Sequence, residues 1–173
     1  MTLTIHPVNG IPEITHGMDL GGLIGDACAS SEFGLADGDV LVVTQKIVSK
    51  AEGAMVEIDQ NDPLSHKPIV EREAVRILRR RGDLIITETK HGFVCANAGI
   101  DLSNVAVGQA ALLPEDSDRS ARRIVERVRH NNEVSVGVII SDTFGRPWRR
   151  GVTDVAIGCA GICLLYTSPS PRD

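Results

Sequence analysis

The chain has 173 residues and a formal net charge of −5, with 42% hydrophobic and 24% charged residues, the balance of one globular domain long enough to bury a sizeable core. The acidic balance gives no support to nucleic-acid binding, no apolar run reaches the roughly 20 residues a bilayer crossing needs, and the N-terminus does not read as a signal peptide. Cys28, Cys95, Cys159 and Cys163 stand without a CxxC pair or a histidine at zinc spacing, so neither a zinc site nor a disulfide framework is indicated and a reducing cytoplasm fits.

Asp19 opens an amphipathic helix. Leu20, Leu23, Ile24, Ala27 and Cys28 recur at i, i+3, i+4, i+7 and i+8, and the pattern ends near Phe33-Gly34. Asp37-Gly38-Asp39 reads as a turn and Val40-Leu41-Val42-Val43 as a strand covered on both faces. The segment Gln45 to Gly53 follows directly. Met55 to Ile58 alternates as a half-exposed strand, Pro63 to Pro68 reads as loop, and Val70, Ala74, Ile77 and Leu78 mark a second helix. Its arginines Arg76, Arg79, Arg80 and Arg81 form a solvated basic face near the C-terminal end. Leu84 to Ile86 is another strand. A third helix, capped by Asp118 or Ser120, turns Ala121, Ile124, Val125 and Val128 inward ahead of a strand over Val134 to Ile140. Strands separated by helices predict an α/β fold, a mixed sheet with flanking helices, over a sandwich or a bundle.

Two segments concentrate chemistry. The apolar Val138-Ile139-Ile140 breaks into Ser141-Asp142-Thr143-Phe144-Gly145-Arg146-Pro147-Trp148-Arg149-Arg150-Gly151. A buried strand that delivers Asp-Thr at its end is a rigid mount for two hard oxygen donors, and glycine with three arginines makes a loop able to approach and neutralise an anion. The competing reading is a plain turn with solvated arginines. The second segment, Thr87 to Asn104, carries His91, Asn97, Asp101, Ser103 and Asn104 in a stretch that suits neither a helix nor a covered strand. A loop of that length, too apolar for disorder, reads as functional. Cys95 lies in it with no identifiable base beside it, which argues against a nucleophile.

Together with Asn9-Gly10-Ile11-Pro12-Glu13-Ile14 and Gln45-Lys46-Ile47-Val48-Ser49-Lys50-Ala51-Glu52-Gly53, these segments resemble, in the same order, the γ-glutamyl ligases of deazaflavin coenzyme F(420) biosynthesis, from about residue 3 to about residue 162. The resemblance implies a GTP-dependent ligase that joins L-glutamate to the carboxylate of the coenzyme's phospholactyl precursor. It implies Mg2+ or Mn2+, K+ as an optional further ion, and a homodimer when the protein is full length. By the same resemblance Asp101, Asp142 and Thr143 match metal ligands, and Ile11, Pro12, Glu13, Ile14, Gln45, Lys50 and Asn104 match nucleotide-binding positions. His91, Arg146 and Arg149 stand as candidates for phosphate or carboxylate contacts, without a fixed role, and no residue is assigned as the catalytic one.

The chemistry explains the residue types. A carboxylate does not condense with an amine at neutral pH until its oxygen is made a leaving group, and transfer of the GTP γ-phosphoryl achieves this as an acyl phosphate. Such a transfer asks for positioning and charge neutralisation. Two other classes use similar residues: a metal-dependent phosphohydrolase with water as acceptor, and a non-catalytic GTP-binding module. Dependence of GTP turnover on both glutamate and the precursor separates them.

The end of the chain departs from this pattern. Cys163 to Asp173 is a polar, proline-broken tail that resembles translated adaptor read-through, where the resembled family continues with further nucleotide and metal contacts. The expected organisation is therefore residues 1–162 as the N-terminal part of a single γ-glutamyl ligase domain and 163–173 as a non-native tail, the chain as written being truncated and not competent for ligation. The plainer reading is a natural disordered terminus.

Overall fold

The computed structural model describes residues 2–162; the expected non-native tail lies outside them. In chain order the elements are helix α1 (Leu20–Ala29), strand β1 (Val40–Thr44), helix α2 (Gln45–Glu52), β2 (Met55–Glu57), α3 (Lys67–Glu73), β3 (Ala74–Arg81), β4 (Leu84–Thr89), β5 (Val94–Ala96), a 3-10 turn at Asn97–Gly99, β6 (Gln109–Ala111), α4 (Ser117–Asn132), β7 (Gly137–Gly145) and β8 (Val152–Ala160). The α/β expectation is met. The strands form three sheets, in the orders β1-β7-β8, β2-β6 and β3-β4-β5.

The first sheet is mixed. β1 runs parallel to β7, from Val40 opposite Gly137 to Thr44 opposite Ser141, and β8 returns antiparallel along the whole of β7. Helices α1 and α4 pack against each other, and α4 lies on β7 and β8. Ile24 and Cys28 of α1, Ala121, Ile124 and Val128 of α4, Leu41 and Val43 of β1, and Val138 and Ile140 of β7 meet in one core. Each Val, Leu or Ile among them taken fully out of water contributes roughly 1.5–3 kcal/mol. A close approach makes this possible: a Cβ on Gly158 of β8 would stand 2.4 Å from the Ser117 backbone of α4, so only glycine lets the helix start lie on the strand.

Several expectations are corrected. β1 is not covered on both faces, since Val42 is 66% exposed while Leu41 and Val43 are buried; it is an edge strand with α2 and the core on one side. Residues Ala74 to Arg81 are a strand, not the second half of a helix. The Val70, Ala74, Ile77 and Leu78 spacing imitates a helical stripe, but a turn with Gly82 in the left-handed region (φ 57°) folds β3 back on β4. The basic run is thus an edge-strand surface, partly paired through Arg76 to Glu88 and Arg80 to Glu71. The cap of α4 is Asp116, whose Oδ1 accepts the Arg119 N–H at 2.8 Å; Asp118 instead accepts the Cys159 N–H at 2.8 Å, tying the helix to β8. Thr87 to Asn104 is not an open loop: Thr87 and Cys95 are fully buried in the β4-β5 pair, and the Thr87 hydroxyl accepts the Ala98 N–H at 3.0 Å.

Candidate functional site

A cleft of about 550 Å³ opens at the carboxyl end of β1. In α/β sheets the strand ends are where ligands are commonly held, because loops there diverge and helix N-termini converge. β1 stops at Thr44 opposite Ser141, and α2 starts at once with Gln45. β7 does not stop. It continues to Gly145 beside β8 alone, so Asp142 and Thr143 lie within a strand rather than on a loop at its end, as the sequence had suggested. One wall of the cleft is this second half of β7; the others are the first turn of α2 and the segment Ala96 to Asn104.

Each functional side chain has an identifiable mount. Asp101 is fixed by a reciprocal backbone pair with Ala111, at 3.0 and 2.8 Å. Its Oδ1 accepts the N–H and hydroxyl of Ser103, both at 2.8 Å, in an Asx turn. Its Oδ2 meets Lys46 Nζ at 2.7 Å, and the same ammonium donates to Ser103 Oγ at 2.9 Å. Burial alone would push the Asp101 carboxyl up, but the Lys46 and Ser103 hydrogen bonds together hold it below the usual carboxylate range. Asp142 goes the other way: burial pushes it up, the Thr143 N–H at 2.8 Å opposes this, and the negative charge of Asp101 adds to the rise. Consecutive strand residues point to opposite faces, and Thr143 accordingly sends its hydroxyl to Asp154 Oδ1 at 2.6 Å.

The donor set fits a hard cation. Two carboxylates whose pKa values are shifted in opposite directions line one cleft, an ammonium is already bonded to one of them, and Thr143 lines the same wall. Among the described residues no group of three or more His, Cys, Asp or Glu forms a complete cage. That pattern suits Mg2+ or Mn2+, which bind through one or two carboxylates and leave positions for waters and substrate phosphates.

The nucleotide candidates divide. Asn104, in the left-handed region (φ 51°), and Gln45 line the cleft. Gln45 is buried, with its amide nitrogen committed to Ser49 Oγ and the Leu112 carbonyl at 2.6 and 2.7 Å, so its side chain clamps α2 and leaves only the carbonyl side to a ligand. Lys50 and Glu13 come together at 2.5 Å, with Lys50 one turn beyond Lys46 on the same face of α2. Neither Lys50 nor Ile11 to Ile14 lines the cleft. Ile14 is buried in the core, and Pro12 borders a separate cavity of about 690 Å³ beside α1. The end of α2 is closed by Gly53 (φ 72°), over which the His16 ring lies 2.9 Å from where a Cβ would be.

The remaining candidates are not brought to the cleft. His91 donates from Nε2 to the Pro114 carbonyl at 2.8 Å, and Arg146 and Arg149 lie in the exposed β7-β8 hairpin, closed by the Arg146 N–H on the Gly151 carbonyl at 3.0 Å. Cys95 is fully buried, its thiol pushed up to about 11 chiefly by burial and then by Asp142, which fits its reading as core rather than nucleophile. Sequence reasoning missed Lys46 as a partner of Asp101. The spacing of Lys46 and Lys50 places both on one helix face, but nothing local pairs Lys46 with Asp101, 55 residues away.

No helix among the described residues is long and apolar enough to cross a membrane. The model of the F(420)-0:Gamma-glutamyl ligase family matches residues 10–67 and 67–170. A Methanopyrus kandleri protein named Coenzyme F(420):L-glutamate ligase is 42% identical over 186 aligned positions, covering 99% of this chain and 72% of that protein. Proteins of the same name from Methanothermobacter thermautotrophicus and Methanocaldococcus jannaschii are 39% and 37% identical; they align with 100% and 83% of this chain, over 74% and 63% of their own lengths. The mixed α/β fold is consistent with these likenesses, and they show that the chain belongs to the F(420)-0:gamma-glutamyl ligase family.

Proposed function

We propose that the ligase domain to which this chain contributes adds L-glutamate to the deazaflavin precursor of coenzyme F(420), with GTP as phosphoryl donor and Mg2+ or Mn2+ as the metal, K+ being an optional further ion. The reaction forms an acyl phosphate on the precursor, which the amine of glutamate attacks, giving an amide, GDP and phosphate. The names of the relatives support the substrate class, and the observation that carries the reading is the convergence of Asp101 and Asp142 on one cleft with Lys46 between helix and carboxylate.

In this reading Asp101, Asp142 and Thr143 hold the metal, which would supply charge neutralisation at the phosphates. The first turn of α2 presents backbone N–H groups and a positive dipole end to the same space, and Thr44 makes no side-chain cap to occupy them. Lys46 bonds Asp101 and adds positive charge beside the phosphates. Lys50 is a second point charge on the same helix face, its side chain largely buried and paired with the exposed Glu13, which solvent can take over when Lys50 turns to a phosphate. Asn104 offers both a donor and an acceptor. The proposed working unit is a homodimer in the cytoplasm.

The test is mass measurement of the product after incubation with GTP, Mn2+, glutamate and the precursor, for the chain as given and joined to the C-terminal remainder of the Methanopyrus relative. The expected result is no product from the chain as given and, from the joined form, a product heavier by one or more glutamyl units with GDP release that requires both acceptors. GDP release that needs neither would replace the ligase with a phosphohydrolase, and metal-dependent GTP binding without any release would leave a binding module.

A further inference from the structure

We infer that Asp154 is a positioning residue for the metal cleft, acting through the Thr143 hydroxyl; this rests on the proposed reading of the cleft. Asp154 is outside every segment that pointed to function in the sequence and does not line the cleft. It sits on β8 directly opposite Thr143 of β7, and its Oδ1 accepts the Thr143 hydroxyl proton at 2.6 Å. That contact decides what the hydroxyl offers to the cleft that Thr143 does line.

A threonine hydroxyl has one proton and two lone pairs, and it rotates to suit its surroundings. Released from Asp154, the hydroxyl would be free to rotate, and a proton turned into the cleft would make it a poor cation ligand. Asp154 takes that proton on the far side. The lone pairs are thereby directed away from Asp154, and the charge-assisted bond increases electron density on the oxygen. Outer partners of this kind orient metal ligands, and their loss commonly lowers metal affinity ten- to a hundredfold. The cross-strand geometry also fixes rotation of Thr143 about Cα–Cβ, which a β-branched side chain already restricts.

The experiment is Mn2+ binding by electron paramagnetic resonance to the chain as it exists, with GTP present, for the parent and for Asp142→Asn, Asp154→Ala, Asp154→Asn, Thr143→Val and the Thr143→Val/Asp154→Ala pair, each with a thermal melt. The expected result is a ten- to hundredfold loss of affinity in Asp154→Ala with a melting temperature close to the parent's. Asp154→Asn, which keeps the acceptor and loses the charge, falls between. In the Thr143→Val background Asp154→Ala produces no further loss, because its route to the metal is already gone. Affinity in both Asp154 variants within twofold of the parent overturns the inference while leaving the cleft standing. So does an equal loss with and without the Thr143 hydroxyl, which would make Asp154 a direct ligand. A parent that binds no Mn2+, or an Asp142→Asn variant that binds it unchanged, overturns the cleft itself.

Discussion

The two halves of β7 behave as different materials. From Gly137 to Ile140 the strand has β1 on one side and β8 on the other, with α4 packed over it, and Val138 and Ile140 are fully buried. Beyond Ser141, the last residue opposite β1, only β8 remains among the described residues, and Asp142 and Thr143 line a cleft. A register shift divides the halves: Ile140 pairs with Gly158 but Ser141 with Ala156, so one extra residue on β8 re-aims the strand pair where packing gives way to chemistry. The difference teaches how a fold holds a carboxylate where burial raises its protonation tendency. The dry half anchors the strand, and the polar half is carried in a position it would not choose alone.

The comparison is broken most severely in the dry half. Ile140→Ala removes a fully buried side chain under α4, and a loss of about 2–5 kcal/mol is expected in denaturant unfolding, with the cleft failing only because the strand does. Asp142→Asn should do the reverse: metal-dependent nucleotide binding falls below calorimetric detection, while the metal-free melting temperature stays level or rises, since a buried charge facing Asp101 is removed. A large drop in melting temperature would mean that Asp142 holds the fold instead.

The anchor was legible in the sequence and the cleft only in part. The α1 stripe and the inward face of α4 follow from period alone; Asp142 and Thr143 read as the end of an apolar strand and Asp101 as part of a loop, and only the family resemblance joins the three as metal ligands. β3 was misread because Val70, Ala74, Ile77 and Leu78 match a helix as well as a hairpin edge, and only pairing with β4 decides. Lys46 on Asp101 spans 55 residues and Asp154 on Thr143 depends on hairpin register; contacts of that kind exist only once the chain is folded, so no local pattern announces them.

Lys50→Ala sharpens the comparison at the helix face. Loss of a charge-assisted hydrogen bond to a phosphate costs about 1.5–3 kcal/mol, roughly ten- to a hundredfold in GTP affinity, with glutamate affinity less affected. Stability should change by about 1 kcal/mol or less, because the Glu13 partner is exposed. A GTP affinity within twofold of the parent would make Lys50 a surface residue.

The smallest effect is on pH dependence. Asp101, held low, contributes stability that is present above its unfolded value and lost as pH falls through its folded one. Asp142, held high, has the opposite sign: its contribution is present in acid and lost as pH rises through its raised folded value. The metal competes with the Asp142 proton, so affinity for Mn2+ should begin to fall with acidification above the ordinary carboxylate range. A titration that follows Mn2+ affinity downwards in pH should find that onset in the parent; an onset at the ordinary carboxylate value would show that Asp142 is not a ligand.

The most direct measurement is calorimetric titration of GTP into the parent, Asp101→Asn and Asp142→Asn, each with and without Mn2+. The account predicts binding by the parent that requires the metal, and loss of that metal requirement's benefit in both variants while their melts remain cooperative. Unchanged metal dependence in both single variants would show that the carboxylate cleft at the end of β1 is not where metal and nucleotide meet.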